Sequence, residues 1–186
     1  MVLLHTPPGE LGSLAPDFLL PGVDGQDHSL DEYQDALVLV IMFICNHCPY
    51  VQSVEARLIA LARELQPDKV QFVAISSNDT INYPQDDFPH MQQRAREKNF
   101  PFPYLFDATQ EVAVAYGAVC TPDFFVYDAA RHLQYRGRFD DSPRDPLAVR
   151  RQELKEAILM LLDGRNPSSI QNPSMGCSIK WKGGTP

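Results

Sequence analysis

The residues of this 186-residue chain best suited to chemistry are the cysteines of Cys45-Asn46-His47-Cys48-Pro49. Two thiols separated by two residues can close a small disulfide. At the mouth of a helix the first of them meets unpaired amide N–H groups and the positive end of the helix dipole. Both effects lower a thiol pKa and make a nucleophile at neutral pH. His47 adds a positive charge beside the pair, which stabilises a thiolate, favours the reduced form and makes the disulfide more oxidising. On this reading Cys45 attacks and Cys48, one helical turn inward, resolves. Two plainer readings compete. Unreactive buried thiols prefer strand or helix interiors to a helix mouth. A metal site would join Cys45 and Cys48 to Cys120 and Cys177, but structural zinc sites repeat the two-residue spacing, and these last two cysteines are 57 positions apart. The sequence therefore predicts neither a metal nor a cofactor.

The pair needs a strand before it and a helix after it, and both are legible. Leu37 to Ile44 is apolar at odd and even positions alike, as in a central strand covered on both faces. Beyond Pro49, residues Val51, Val54, Leu58, Leu61 and Leu65 fall at alternating spacings of three and four, a buried helical stripe that Pro67 ends. Val70 to Ile75 predicts the next strand, and Phe88, Met91 and Ala95 mark one face of a helix between Asp86 and Lys98. Thr109 can cap a short helix with Val112, Ala113 and Tyr116, stopped by Gly117. Phe124 to Tyr127 and Leu133 to Arg136 are spaced for a hairpin at an antiparallel edge. Asp145-Pro146 predicts the start of a last helix, with Leu147, Leu154, Ile158 and Leu161 inward and Gly164 at its end. The first nine residues are expected to be loose, and Ala15 to Leu30, around an Asp24-Gly25 turn, to form an N-terminal β-hairpin. The expectation is an α/β domain over residues 1–164, followed by a Pro-, Ser- and Gly-rich tail, 165–186, that carries Cys177 and has little regular structure.

Composition narrows the function classes. Sixteen Lys and Arg against 24 Asp and Glu give a net charge of −8 without long blocks of either sign, which argues against a nucleic-acid partner. The longest apolar run, Ala36 to Cys45, is about half a membrane span, and Met1 to Leu4 is too short for a signal-peptide core, so a cytoplasmic, unprocessed chain without a membrane partner is expected. Four cysteines are too few for a disulfide scaffold; in a reducing compartment they are small buried residues or chemistry.

The order strand, CxxCP helix, strand, helix, then Cys120-Thr121-Pro122 before a hairpin and a terminal helix resembles the thioredoxin fold with the N-terminal hairpin and mid-chain insertion of the peroxiredoxin superfamily, over residues 10 to 164. More narrowly, Cys45-Asn46-His47-Cys48-Pro49-Tyr50-Val51, Cys120-Thr121-Pro122-Asp123-Phe124-Phe125, Tyr135-Arg136-Gly137-Arg138 and Gly176-Cys177-Ser178-Ile179-Lys180-Trp181 resemble a peroxiredoxin-like branch grouped with thioredoxins and thiol-disulfide isomerases, of the alkyl hydroperoxide reductase/thiol-specific antioxidant type. The resemblance implies a thioredoxin-like fold: a central mixed β-sheet flanked by helices, extended by the hairpin. It also implies that Pro122 is a cis-proline placing the preceding backbone beside the cysteines, where a bound chain pairs like an added strand through contacts from Thr121. Without the resemblance, Pro122 also reads as a strand-entry proline.

The departures are informative. Peroxiredoxins carry a Thr three residues before the peroxidatic cysteine and a Pro four residues before that Thr; aligned on Cys48, those positions hold Cys45 and Ile41. Thioredoxins place a buried Asp six residues before the first cysteine and a Trp immediately before it; here those positions hold Leu39 and Ile44.

Of the remaining cysteines, Cys120 reads either as a third redox thiol or ligand near the pair, or as a small buried residue ahead of a strand. Cys177 reads either as a thiol that a flexible tail swings toward the pair, as in many peroxiredoxins, or as packed with Ile179 and Trp181. Arg136 and Arg138 read as solvated edge residues or as partners of a thiolate or of an acidic substrate group. The expected function is thiol-disulfide exchange with a disulfide-containing protein or small molecule, with electrons supplied by a separate thiol reductant. The alternatives are a thiol peroxidase, whose sulfenic acid Cys48, Cys120 or Cys177 resolves, and a metal-binding or redox-sensing module.

Overall fold

The computed structural model describes residues 3–184; Met1, Val2, Thr185 and Pro186 lie outside the described residues. In chain order the strands and helices are β1 (Leu3–His5), β2 (Leu19–Pro21), β3 (Asp27–Ser29), β4 (Val38–Phe43), α1 (Pro49–Leu65), β5 (Val70–Ser76), α2 (Phe88–Lys98), β6 (Tyr104–Phe106), α3 (Glu111–Ala115), β7 (Cys120–Thr121), β8 (Asp123–Tyr127), β9 (Leu133–Gly137), α4 (Glu153–Leu162) and β10 (Met175–Ser178).

The central sheet has the order β6-β5-β4-β8-β9. β4 runs parallel to β5, β5 parallel to β6, and β8 antiparallel to both β4 and β9. All six side chains of β4 are buried because the sheet is covered on both faces. Val38, Val40 and Met42 pack in one layer with Val51, Val54 and Leu58 of α1, Met91 of α2 and Leu154 and Ile158 of α4. Leu39, Ile41 and Phe43 pack in the other with Phe18, Leu20 and Tyr33 of the N-terminal segment and Val112, Ala113 and Tyr116 at α3. An apolar run without alternation is thus the imprint of a sandwiched strand. β2 and β3 form the expected hairpin.

Three expectations are corrected. The last helix begins at Glu153, not at Asp145. Asp145 caps a single 3-10 turn, Pro146–Ala148, by accepting from the Leu147 amide, after which Val149 is extended (φ −64°, ψ 121°) and Leu147 is 97% exposed. The loose N-terminus and the irregular tail instead meet in a second sheet of order β1-β10-β7. Short, small and polar stretches form strands there because each supplies the other's backbone partners. Leu3, Leu4 and His5 pair with Cys177, Gly176 and Met175, and Cys177 and Ser178 pair with Thr121 and Cys120.

Candidate active site

β4 delivers the chain to Cys45, and the Ile44 amide, donating to Ile75 O (3.0 Å), carries the sheet's pairing one residue further. The helix then begins one turn later than expected. Cys48, with extended backbone (φ −71°, ψ 118°), is the N-cap residue of α1, and its carbonyl takes the helical bond from Gln52 N (3.0 Å). Cys48 therefore stands at the positive end of a 17-residue helix, and Cys45 lies in the turn ahead of it. This corrects the expectation that Cys45 occupies the helix mouth and Cys48 a position one turn inside. The cause is Pro49, whose missing N–H and fixed φ suit the first helical position. Both thiols are buried, Cys45 at 2% and Cys48 at 0% exposure.

The turn is held by an acid that sequence reading assigned to a helix start. The buried Asp86 carboxylate accepts the amides of Asn46 (2.8 Å) and His47 (3.1 Å) on Oδ1, and His47 Nδ1 (2.5 Å) and Asn78 Nδ2 (2.7 Å) on Oδ2. Against its burial, the bonds from His47 and Asn78 and the charge on His47 hold Asp86 below the ordinary carboxylate range. Its neighbour Asp87 does the work expected at a helix start, accepting from the His90 amide as the N-cap of α2. Tyr104 OH donates to Asn46 Oδ1 (3.1 Å), and the His47 ring stacks on Tyr83 with centroids 5.4 Å apart. Asp86, Asn78, Tyr83 and Tyr104 carry no local signal of this role, since each is brought to the turn from at least 30 residues away. The one cue was two adjacent acids where a helix needs a single N-cap.

The two thiols meet opposite surroundings. Cys45 Sγ lies 3.4 Å from Thr121 Oγ1 and 3.9 Å from His47 Nδ1. Donation of its S–H to Cys48, burial and the negative charge of Asp86 push the Cys45 thiol well up. The same S–H, accepted by Cys48, lowers Cys48 to about 5 against its burial, helped by the Thr121 side chain and the amides of Cys177 and Val51. When protonated, Cys48 donates to Thr121 O (3.1 Å). His47, expected to tune the thiolate, adjoins Cys45 and hydrogen-bonds the Asp86 carboxylate.

The Thr121–Pro122 peptide bond is cis, and Thr121 touches both thiols. Cys120 is fully buried; burial pushes its thiol up, and its S–H points to Pro122 O (3.8 Å). Cys177 does not wait on a swinging tail. It sits in β10 opposite Thr121, and burial and S–H donation to Cys48 push it up to about 12. Arg136 is neither solvated nor at the thiols: it is buried, its Nη2 donates to Asp123 Oδ2 (2.9 Å), and it lies over the Phe125 ring. Arg138 pairs with Glu153. Among the described residues, the metal-capable donors that converge, within 4.8 Å of one another, are Cys45, His47 and Asp86. Hydrogen bonds already connect these three.

No helix among the described residues is long and apolar enough to cross a membrane. The chain is similar along its whole length to two solved structures. An uncharacterized conserved protein from Geobacillus kaustophilus is 45% identical with a TM-score of 0.94, covering 100% of this chain and 99% of that one. A hypothetical protein from Sinorhizobium meliloti 1021 is 39% identical with a TM-score of 0.92, covering 97% and 99%. Peroxidoxin BcpB from Mycobacterium tuberculosis, at 22% identity and a TM-score of 0.57 over 68% of this chain and 83% of that one, shares the fold. No curated protein matches. The model of the AhpC/TSA family matches residues 11–136, a span that includes the thiol turn and the cis-proline, and activity in this family is of the thiol oxidoreductase or peroxidase type. The chain belongs to the AhpC/TSA family, on a thioredoxin-like fold.

Proposed function

We propose that this protein is a thiol-disulfide oxidoreductase in which Cys48 is the attacking thiolate and Cys45 the resolving thiol, the reverse of the order expected from spacing alone. The observation that carries the assignment is the place of Cys48 at the N-cap of α1, where Cys45 and backbone amides stabilise its anion while Asp86 disfavours one on Cys45. Cys48 S⁻ attacks a substrate disulfide, forming a mixed disulfide and releasing one substrate thiolate. Cys45 then gives up its proton and attacks the Cys48 sulfur. The second substrate thiol leaves with that proton, and the Cys45–Cys48 disulfide remains. Two electrons have passed to the substrate, and a separate thiol reductant returns them. Thr121 and the cis-Pro122 frame the reacting sulfurs, and His47 with Asp86 fixes the turn that presents them.

Replacing the nucleophile tests the order. Cys48→Ser is expected to lower the rate of disulfide reduction by at least about 10⁴-fold, whereas Cys45→Ser retains the first step and accumulates the mixed disulfide. Accumulation in Cys48→Ser instead would restore Cys45 as the nucleophile. The same low-pKa thiolate suits peroxide chemistry, the second reading that family membership supports. Peroxide consumption by the reduced protein at the rate of a small thiol of equal thiolate concentration favours exchange; a rate orders of magnitude faster favours the peroxidase.

A further inference from the structure

The edge of the fold beside Pro122 is already filled. β10 pairs antiparallel with β7, and β1 covers the other side of β10, so the edge of β7 that faces β10, ahead of the cis-proline, is not open. The fit is close: a Cβ at Gly176 would lie 1.9 Å from Thr121 O, so only glycine allows the two backbones this approach. Bonds on either side fasten the segment. Ser174 Oγ donates to Pro122 O (2.7 Å), Ile179 N to Val119 O (3.0 Å), Asp79 N to Lys180 O (2.7 Å) and Lys180 N to Asn78 Oδ1 (2.9 Å). Within this strand Cys177 is hydrogen-bonded to Cys48. A third sulfur thus sits against the attacking sulfur, in a strand paired with the residues before Pro122. An extended polypeptide bound as an added strand would need the edge that β10 occupies.

Beside the filled edge is a cavity of about 310 Å³, lined by Tyr50, Val54, Pro122 and Phe139 and closed on one side by Pro173 and Met175 of the docked segment. Its size is at the lower end for small-molecule sites, and its wall exists only while the tail is in place.

We propose that residues 174–180 are a resident occupant of the edge that an extended substrate would use, and that this strand selects low-molecular-weight disulfides bearing an apolar group, seated in the cavity beside Pro122, over disulfides in extended polypeptide. The inference rests on the exchange reading above and names its substrate class. A polypeptide must first unpair β10 from β7, so its apparent affinity falls by the fraction of molecules with that edge open. A small disulfide does not need the edge.

The test compares kcat/KM for dipyridyl disulfide and for insulin, with the full chain and with Gly176→Ala, each ratio divided by that of dithiothreitol on the same two substrates to remove their intrinsic reactivities. The wild type is expected to favour the small disulfide by at least about 100-fold after this correction, and Gly176→Ala to narrow the preference by about 10-fold or more through faster insulin turnover. A corrected ratio near unity in the wild type overturns the proposal, as does an unchanged ratio in a Gly176→Ala protein whose β10 amides exchange freely. Amide exchange on the wild type decides the matter without a variant. Protection of residues 175–179 that persists during turnover of dipyridyl disulfide and is lost during turnover of insulin supports the proposal, and absence of protection in the resting protein overturns it. Inertness toward both substrates would overturn the exchange reading, and this inference with it.

Discussion

The two main sheets of this protein are built on different physics. The five-stranded sheet is held by burial: β4 and β5 sit between two apolar layers, and Val40, Ile41, Met42, Val73 and Ala74 are wholly inaccessible. The three-stranded sheet has little to bury. Its strands are Leu3–His5, Met175–Ser178 and Cys120–Thr121, drawn from the two ends and the middle of the chain, and its cohesion comes from backbone pairing, the Ser174 hydroxyl and the close approach of Gly176 to Thr121. Burial stabilises without direction, whereas a hydrogen-bonded ladder holds one register and can open locally at modest cost. The rigid sheet positions the thiol turn, and the lighter sheet covers it.

That contrast is broken most severely from the rigid side. Ile41→Ala removes side-chain volume at a site with 0% exposure between β5 and β8, and is expected to cost about 2–5 kcal/mol of global stability. Denaturant unfolding followed by far-ultraviolet circular dichroism would show a lower midpoint with an unchanged slope. A loss confined to local exchange, with the midpoint intact, would mean that the central sheet is not the cooperative unit.

The thiols lie at the junction, and their inequality is open to titration. Cys48 is lowered to about 5 first by the S–H of Cys45, so Cys45→Ala is expected to raise its midpoint, followed by thiolate ultraviolet absorbance, by roughly 1–2 units, the equivalent of about 1.5–3 kcal/mol for a hydrogen bond to a charged group. The stability linkage has a definite sign. A thiol whose folded pKa is depressed stabilises the reduced native state fully above the ordinary thiol range, and that contribution is lost as pH falls through about 5. In Cys45→Ala the contribution is smaller and its loss is complete at a higher pH. An unmoved midpoint would assign the shift to the helix terminus and the amides alone.

Legibility in the sequence follows the same division. β4 announced itself by apolar residues on both parities, α1 by its stripe, and β8 and β9 by their spacing, because burial by two layers leaves a pattern along the chain. The strand of Met175–Ser178 leaves none: Gly, Cys and Ser carry no periodicity, and the partners that make it a strand, Thr121 and Leu4, are distant in sequence. The cysteine pair was legible as a pair, but the order proposed for its two thiols was not. The proposed order rests on the helix starting at Pro49 and on Asp86 arriving from 40 residues away. Likewise Leu147 matched the helical stripe of α4 in type and failed in place, because the Asp141 carboxylate takes the amides of Arg150 and Arg151 and keeps them out of the helix.

The smallest expected effect separates the sheets most cleanly. Ser174 is buried at 2% exposure, and its hydroxyl donates to Pro122 O at 2.7 Å, tying the entry of β10 to the cis-proline. Ser174→Ala removes that bond and leaves the weak S–H of Cys120 facing the same carbonyl. The cost should be about 1 kcal/mol, the usual net worth of a neutral hydrogen bond, and should fall on the opening of β10 rather than on the whole molecule. Amide exchange in residues 175–179 is then expected to accelerate about 5-fold while the global unfolding midpoint stays in place. Equal changes in both would show that the covering sheet unfolds only with the core, and that whatever reaches Cys48 must do so past a strand that never leaves.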